Sequence, residues 1–262
     1  MEESITAGEM PVISEVAVRQ NQIENIERAL QDAEDNGANV KDLVNVTYGK
    51  NLTTPLHVAC TEGHFDLVCL LLQNGANINT TDSRYNWTAL HCAAQNHIEI
   101  CEILLRYGAD ISIRSNRGTS AFHYVCKLFV DERLHSVQHH VLSEMLKQGQ
   151  DINQTTHSGE TGLHHACIDG NPFTTNFLLT HGADYSLANK HGEKPIHYAC
   201  RRGVEKVVSL LLEAGADPAT SVGDIETPQG CQSTHWSGWM GREDLEHPWR
   251  LQSKVNNKLW SI

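Results

Sequence analysis

Histidine and cysteine are the residues of this chain best suited to chemistry; there are 16 of the first and 8 of the second. Two arrangements invite a test. His164 and His165 precede Cys167, and an imidazole beside a thiol is the core of a cysteine nucleophile. His135 and His139 stand four residues apart, on one face of any helix, which is the spacing of a metal-binding pair. Neither arrangement is completed. No third group is placed to orient an imidazole against Cys167. Only Asp131 and Glu132 lie near the histidine pair, and no further ligand follows His139 and His140 at a metal-ligand spacing. Gly-rich phosphate loops, a nucleophile elbow and paired CxxC motifs are also missing from the sequence. The chain therefore reads as having no catalytic residues, no metal and no cofactor: not an enzyme. His135, His139 and His140 read as a solvated cluster, and Cys167 as a structural thiol.

The histidines that matter recur with their neighbours. Thr54-Pro55-Leu56-His57 returns as Thr88-Ala89-Leu90-His91, Ser120-Ala121-Phe122-His123, Thr161-Gly162-Leu163-His164 and Lys194-Pro195-Ile196-His197, at His-to-His intervals of 34, 32, 41 and 33. A second phrase recurs with it: Gly75-Ala76-Asn77, Gly108-Ala109-Asp110, Gly149-Gln150-Asp151, Gly182-Ala183-Asp184 and Gly215-Ala216-Asp217. Two phrases that repeat together near one period are the mark of a stacked array.

Elements follow from the same residues. Thr54 caps a first helix and Pro55 occupies its first position, where no backbone donor is needed. Gly63 ends it. Phe65, Leu67, Val68, Leu71 and Leu72 give a second helix its apolar face, Gly75 stops that helix, and Ile78–Trp87 projects as a turn or hairpin. Neither helix buries its apolar face alone, so units must stack. A weaker unit, from about residue 12 to Asn39, lacks the tetrapeptide and carries the polar residues a terminal cap needs. Between Lys127 and Gln138 about eight residues are added; Lys127–Val130 is expected to extend the first helix, with a loop over 131–136. Lys194 replaces the capping Thr, so the last cap should be lost.

This sequence resembles the ankyrin-repeat family over roughly residues 12–218, about six units, the first a degenerate cap. The resemblance implies an all-α repeat solenoid of helix–turn–helix units with β-hairpin fingers, and a concave surface made by the fingers and first helices. It implies that each repeat histidine bonds near its Thr and to the neighbouring finger. It also implies a protein–protein interaction module, a scaffold of adaptor or inhibitor type. The alternative is the ankyrin portion of a larger enzyme, such as a kinase or a ubiquitin-ligase substrate receptor.

A net charge of −12 excludes bulk attraction to nucleic acid or an anionic membrane surface. No apolar run reaches membrane-spanning length, and the first thirty residues have no signal-type apolar core. Cys60, Cys126, Cys167 and Cys200 each follow the repeat His by three residues, as a small buried slot would require. Reduced core cysteines fit a cytoplasmic or nuclear compartment. Five sequons, at Asn45, Asn51, Asn79, Asn86 and Asn153, read as chance in an Asn- and Thr-rich chain. Residues 1–11 read as a disordered lead. Residues 219–262 hold four of the five tryptophans without period: an irregular tail that caps the last unit, offers a ligand peptide, or results from truncation or splicing.

The positions free to bind are the finger tips, the residue before the Thr, and the two residues after the Ala-Cys pair. The finger candidates are Arg84, Tyr85, Trp87, Asn116, Arg117, His157, Lys190 and His191; the helix candidates are Lys127 and Arg201. With Lys50 and Arg202 they make a mildly basic, aromatic-bearing face on an acidic chain. Such a face suits an acidic or phosphorylated segment of another protein, with Trp87 and Tyr85 as the apolar anchor.

Overall fold

A computed structural model describes residues 12–217, so the expectations for the lead and for the Trp-rich tail fall outside the described residues. Helices come in pairs. The first three elements are α1 (Glu15–Arg19), α2 (Ile23–Asp35) and α3 (Val40–Val44). Then follow α4 (Pro55–Glu62) with α5 (Phe65–Gln73), α6 (Ala89–Ala93) with α7 (Ile98–Arg106), and α8 (Ala121–Lys127) with α9 (His135–Lys147). The last pairs are α10 (Gly162–Asp169) with α11 (Pro172–Thr180), and α12 (Pro195–Arg202) with α13 (Glu205–Glu213). Among the described residues no helix is long and apolar enough to cross a membrane.

The chain forms two compact units, one of residues up to 125 together with 130–150, the other of 126–129 together with residues from 151. In unit one, first helices α1, α4 and α6 pack in a row, and second helices α5, α7 and α9 form another. Leu67, Val68, Leu71, Ile100, Cys101, Leu104, Val141, Leu142 and Met145 close the core between the rows. Unit two repeats the scheme, α10 on α12 and α11 on α13, around Leu163, Ala166, Leu178, Val207 and Leu211. Phe65 departs from the expected apolar face: it is 43% exposed at the first position of α5.

His57, His91 and His164 are the joints of their units. The His57 Nδ1 accepts from the Thr54 amide at 3.2 Å and lies 2.8 Å from its hydroxyl, so its Nε2 carries the proton and donates to the Trp87 carbonyl of the next finger at 3.0 Å. His91 joins Thr88 to the Thr119 carbonyl in the same way, and His164 joins Thr161 to that of Glu193. These rings are buried, and burial lowers their pKa, for His91 to about 4. Lys194 has no acceptor atom, so its side chain does not cap α12, while the Lys194 amide donates to the His197 Nδ1 at 2.8 Å.

Asparagines make a second set of joints. The Asn45 Oδ1 accepts from the Asn77 amide, that of Asn79 from Asp110, and that of Asn153 from Asp184, at 2.7–2.9 Å. Three of the five sequon asparagines are thus structural connectors. At Gly63, with φ +81°, a Cβ would come within 2.5 Å of the His97 ring, whose Nε2 reaches back to the Thr61 carbonyl. Glycine serves both the left-handed turn and that close approach.

Three expectations are sharpened or corrected. Of the turn or hairpin expected in the fingers the turn prevails, with isolated bridges joining Tyr48 to Thr53 and Arg114 to Ser120. Residues 128–130 do not extend α8, which ends at Lys127. The fully buried Gln138 donates to the Val125 carbonyl at 2.9 Å, and Asn171 donates to that of Leu128 at 3.0 Å. These side chains take up carbonyls at and beyond the helix end that an extended helix would use. Helix resumes early, with a 3-10 turn over Glu132–Leu134 leading into α9 at His135. Cys200 is the third correction, being half-buried where Cys60, Cys126 and Cys167 are fully buried.

Three outcomes follow from this packing. Leu104→Ala should cost about 2–5 kcal/mol, and Phe65→Ala less than about half of that. A bulky maleimide should label Cys69 and Cys200, which are partly exposed, well before Cys60, Cys101, Cys126 and Cys167, whose burial raises their thiol pKa; equal labelling of all would contradict the buried slots. The third concerns pH. His91 falls from the ordinary value of 6.5 to about 4 in the fold, so the unfolded chain binds more protons between those values. Stability is complete above pH 6.5 and is lost as pH falls toward 4. Urea midpoints should drop across that window, with a shallower drop in His91→Gln; a flat profile would contradict neutral joints.

Candidate site on the finger and first-helix face

In unit one the finger tips are laced together. The Ser83 amide donates to the Asn51 carbonyl at 2.8 Å, and the Asn116 amide to that of Tyr85 at 2.9 Å. The Asn116 side chain adds a bond to the Arg84 carbonyl, and that of Asn86 adds one to Arg114. The Asp82 Oδ1 accepts from the amides of both Tyr85 and Trp87, which fixes the turn that presents them. Arg84, Tyr85, Trp87, Asn116 and Arg117 are brought together on these adjoining tips.

Their side chains form a floor and a rim. Tyr85 and Trp87 lie 5.1 Å apart between ring centroids, and Trp87 meets Tyr124 edge-on at 5.5 Å. The Arg84 guanidinium stacks over Tyr85 at 4.8 Å, a cation–π contact that leaves its charge unneutralised. Arg117 is exposed, and its charge acts on the Tyr124 hydroxyl. Burial raises the pKa of that hydroxyl, while Arg117 and a hydrogen bond with Trp87 oppose the rise. Neither Arg84 nor Arg117 has an ion-pair partner among the described residues.

Unit two holds the other candidates in a different setting. His157, Lys190 and His191 sit at exposed finger tips, where the Lys190 amide donates to the Ser158 carbonyl at 2.9 Å. Arg201 stacks over Tyr198 at 5.0 Å and is ion-paired to Glu193. The Tyr198 hydroxyl donates to Glu160 Oε1 at 2.9 Å and accepts from Asn189 at 2.8 Å. Burial opposes ionisation of Glu193, but the nearby Tyr198 hydroxyl and the hydrogen bonds from Asn189 and Arg201 prevail and hold its pKa below the ordinary carboxylate value. Lys127 is exposed, and its charge adds to burial in lowering His165 to about 4. Five of the ten candidates adjoin in unit one, where Tyr85 and Trp87 make an aromatic floor, and within unit two Arg201 is ion-paired to Glu193.

Sequence reasoning missed Tyr124, Asn189 and Tyr198. The signal was present, because Tyr124 and Tyr198 both directly follow a repeat histidine, the place that Val58, Cys92 and His165 take in the other units. Among the described residues no group of His, Cys, Asp and Glu is placed to hold a metal ion.

Comparison with known proteins agrees with this architecture. The family model described as Ankyrin repeats (3 copies) matches residues 14–115 and 133–221. Ankyrin repeat and SAM domain-containing protein 6 of Mus musculus is 40% identical over 86 residues, 32% of this chain and 10% of that protein. The transient receptor potential channel pyrexia of Drosophila melanogaster is 35% identical over 118 residues, 45% of this chain and 11% of its own length. The chain thus spans about a tenth of these relatives. A crystal structure of the ankyrin repeat domain of Bcl-3 superimposes with a TM-score of 0.61 at 24% identity, covering 89% of this chain and all of that one. With the family model covering most of its length and its fold matched by a solved ankyrin domain, this chain belongs to the ankyrin-repeat family.

Proposed function

We propose that this chain is a protein–protein interaction module of adaptor or inhibitor type, and that it holds an acidic segment of its partner on the finger and first-helix face of unit one. Ankyrin repeats are in general protein-binding modules. The single observation that carries the finer reading is the pair Arg84 and Arg117, cations without a counter-charge among the described residues, on the adjoining finger tips that carry Tyr85 and Trp87. Aromatic anchors next to arginines dominate the energetics of protein interfaces, while exposed charges at the rim govern encounter and salt dependence. The lacing of the tips supports the same reading, because a floor fixed beforehand loses little freedom on binding. In unit two, His157, Lys190, His191 and Lys127 offer further exposed cationic or titratable contacts. A cytoplasmic or nuclear setting suits thiols that are unbridged and mostly buried.

A second reading has one observation in its favour. The chain spans about a tenth of the relatives it matches, which suits the targeting portion of a larger protein, such as a kinase or a ubiquitin-ligase substrate receptor. The surface chemistry proposed for unit one is the same in either case.

The test is titration of an Asp/Glu-rich peptide selected from a display library on the wild-type chain. Trp87→Ala should weaken binding by about 2 kcal/mol or more. Arg84→Glu with Arg117→Glu should slow association and flatten its dependence on salt. Unchanged affinity in both variants, with circular dichroism intact, would remove the finger face as the binding site.

A further inference from the structure

One backbone place has positive φ in every finger that leads into a capped first helix. It lies two residues before the cap: Leu52 at +53°, Asn86 at +58°, Gly118 at +70°, Gly159 at +84° and Gly192 at +78°. The residue just before it ties its tip to the next. The carbonyls of Asn51, Tyr85 and Ser158 accept from the amides of Ser83, Asn116 and Lys190 at 2.8–2.9 Å. Glycine meets the left-handed demand without a Cβ, and asparagine tolerates it. For a branched side chain as large as leucine the same region is strained. Among the described residues, Leu52 is the one with positive φ that is neither Gly nor Asn. Core burial does not offset the strain, because Leu52 is 50% exposed. A residue that breaks its local rule without a matching gain in packing points to function rather than to fold.

The neighbours of Leu52 say which function. Lys50 and Asn51 are exposed beside it, and Lys50 has no ion-pair partner among the described residues. The Ser83 amide donates to the Asn51 carbonyl at 2.8 Å, and its hydroxyl to the Lys50 carbonyl at 3.1 Å. These bonds fix the first tip to the second, where Arg84 and Tyr85 follow directly on Ser83. Leu52 and Lys50 therefore continue, one finger earlier, the row of apolar and cationic side chains that Tyr85 and Arg84 form.

Resting on the function proposed above, we infer that Leu52 is a binding residue: the partner's acidic segment carries a large apolar side chain that seats on Leu52, with its acids toward Lys50 and Arg84. Covering an exposed leucine removes apolar surface from water. Cations without counter-charges on both adjoining tips favour carboxylates beside that contact. The left-handed backbone holds the leucine at the tip before the partner arrives, so little freedom is lost on binding.

The test measures stability and binding on the full chain. The probe is the Asp/Glu-rich peptide selected from the display library, alongside the same peptide with Ala at its largest apolar residue. Leu52→Gly and Leu52→Asn should leave the urea midpoint unchanged or raise it, since either residue suits the turn. Both should weaken the selected peptide about tenfold, and the alanine in the peptide should weaken the wild-type complex by a similar factor. Combining the two changes should add little further, as a direct contact requires. A fall of the urea midpoint in both variants would make Leu52 a packing residue. Peptides selected without a large apolar residue, affinity within about twofold of the wild type, or full additivity of the two changes would deny the contact. Any of these outcomes overturns the inference. If Trp87→Ala and the double arginine variant still weaken the peptide, the acidic-segment reading stands without Leu52; if they too leave it unchanged, both fall.

Discussion

Each of His57, His91 and His164 is buried, held neutral and protonated on Nε2, and so holds one unit to the next. Its Nδ1 takes the amide that opens its own helix, and its Nε2 proton goes to the carbonyl that ends the neighbouring finger. One side chain thereby satisfies two buried backbone groups in two different repeats. An unpaired group of either kind costs roughly 1–3 kcal/mol. That double use explains why histidine recurs at this place. It also sets the posture of the finger, because the carbonyl that His57 captures belongs to Trp87, the centre of the candidate floor. The structural joint and the recognition surface share a residue, one through its backbone and the other through its side chain.

Most of the fold was legible because two phrases repeat with a nearly constant period, and the physics of each phrase is local. A Thr cap, a Pro at the first helical position and a Gly in the left-handed region act within a few residues of themselves. What the sequence concealed was not local. The fate of residues 128–130 depended on Gln138 and Asn171 claiming carbonyls from a distance. The long link after Asn39 contains a short helix, α3, whose N-cap Asn39 could be recognised only with its backbone in view. Cys200 is half-buried although it shares its place in the repeat with three fully buried cysteines, a difference that a positional alignment of cysteines does not show.

The candidate surface was legible as a list and not as an arrangement. Counting Lys and Arg at the free positions gave a basic face. It could not show that Arg201 is neutralised by Glu193 while Arg84 lies over a tyrosine with its charge uncompensated. Nor could it show that Glu160 and Glu193 face inward onto Tyr198. The same residue type carries a different electrostatic meaning according to the neighbours its place in the repeat provides.

The asparagine joints bear on how such a chain can change length. Each links a side chain to a backbone amide 31 or 32 residues further on, a span narrower than the 32 to 41 residues between histidines. The extra residues of the fourth repeat lie between α8 and α9, outside all three of these spans. Each span encloses a helix pair together with the turn between its helices, so an asparagine joint ties the start of one repeat to the start of the next. In the repeat with the longer turn, Ser112 stands where Asn79 and Asn153 stand in theirs, and its amide and hydroxyl bond the Asp110 carboxylate two residues away. The added length thus lies in a repeat whose connecting asparagine has been replaced by a residue that bonds locally.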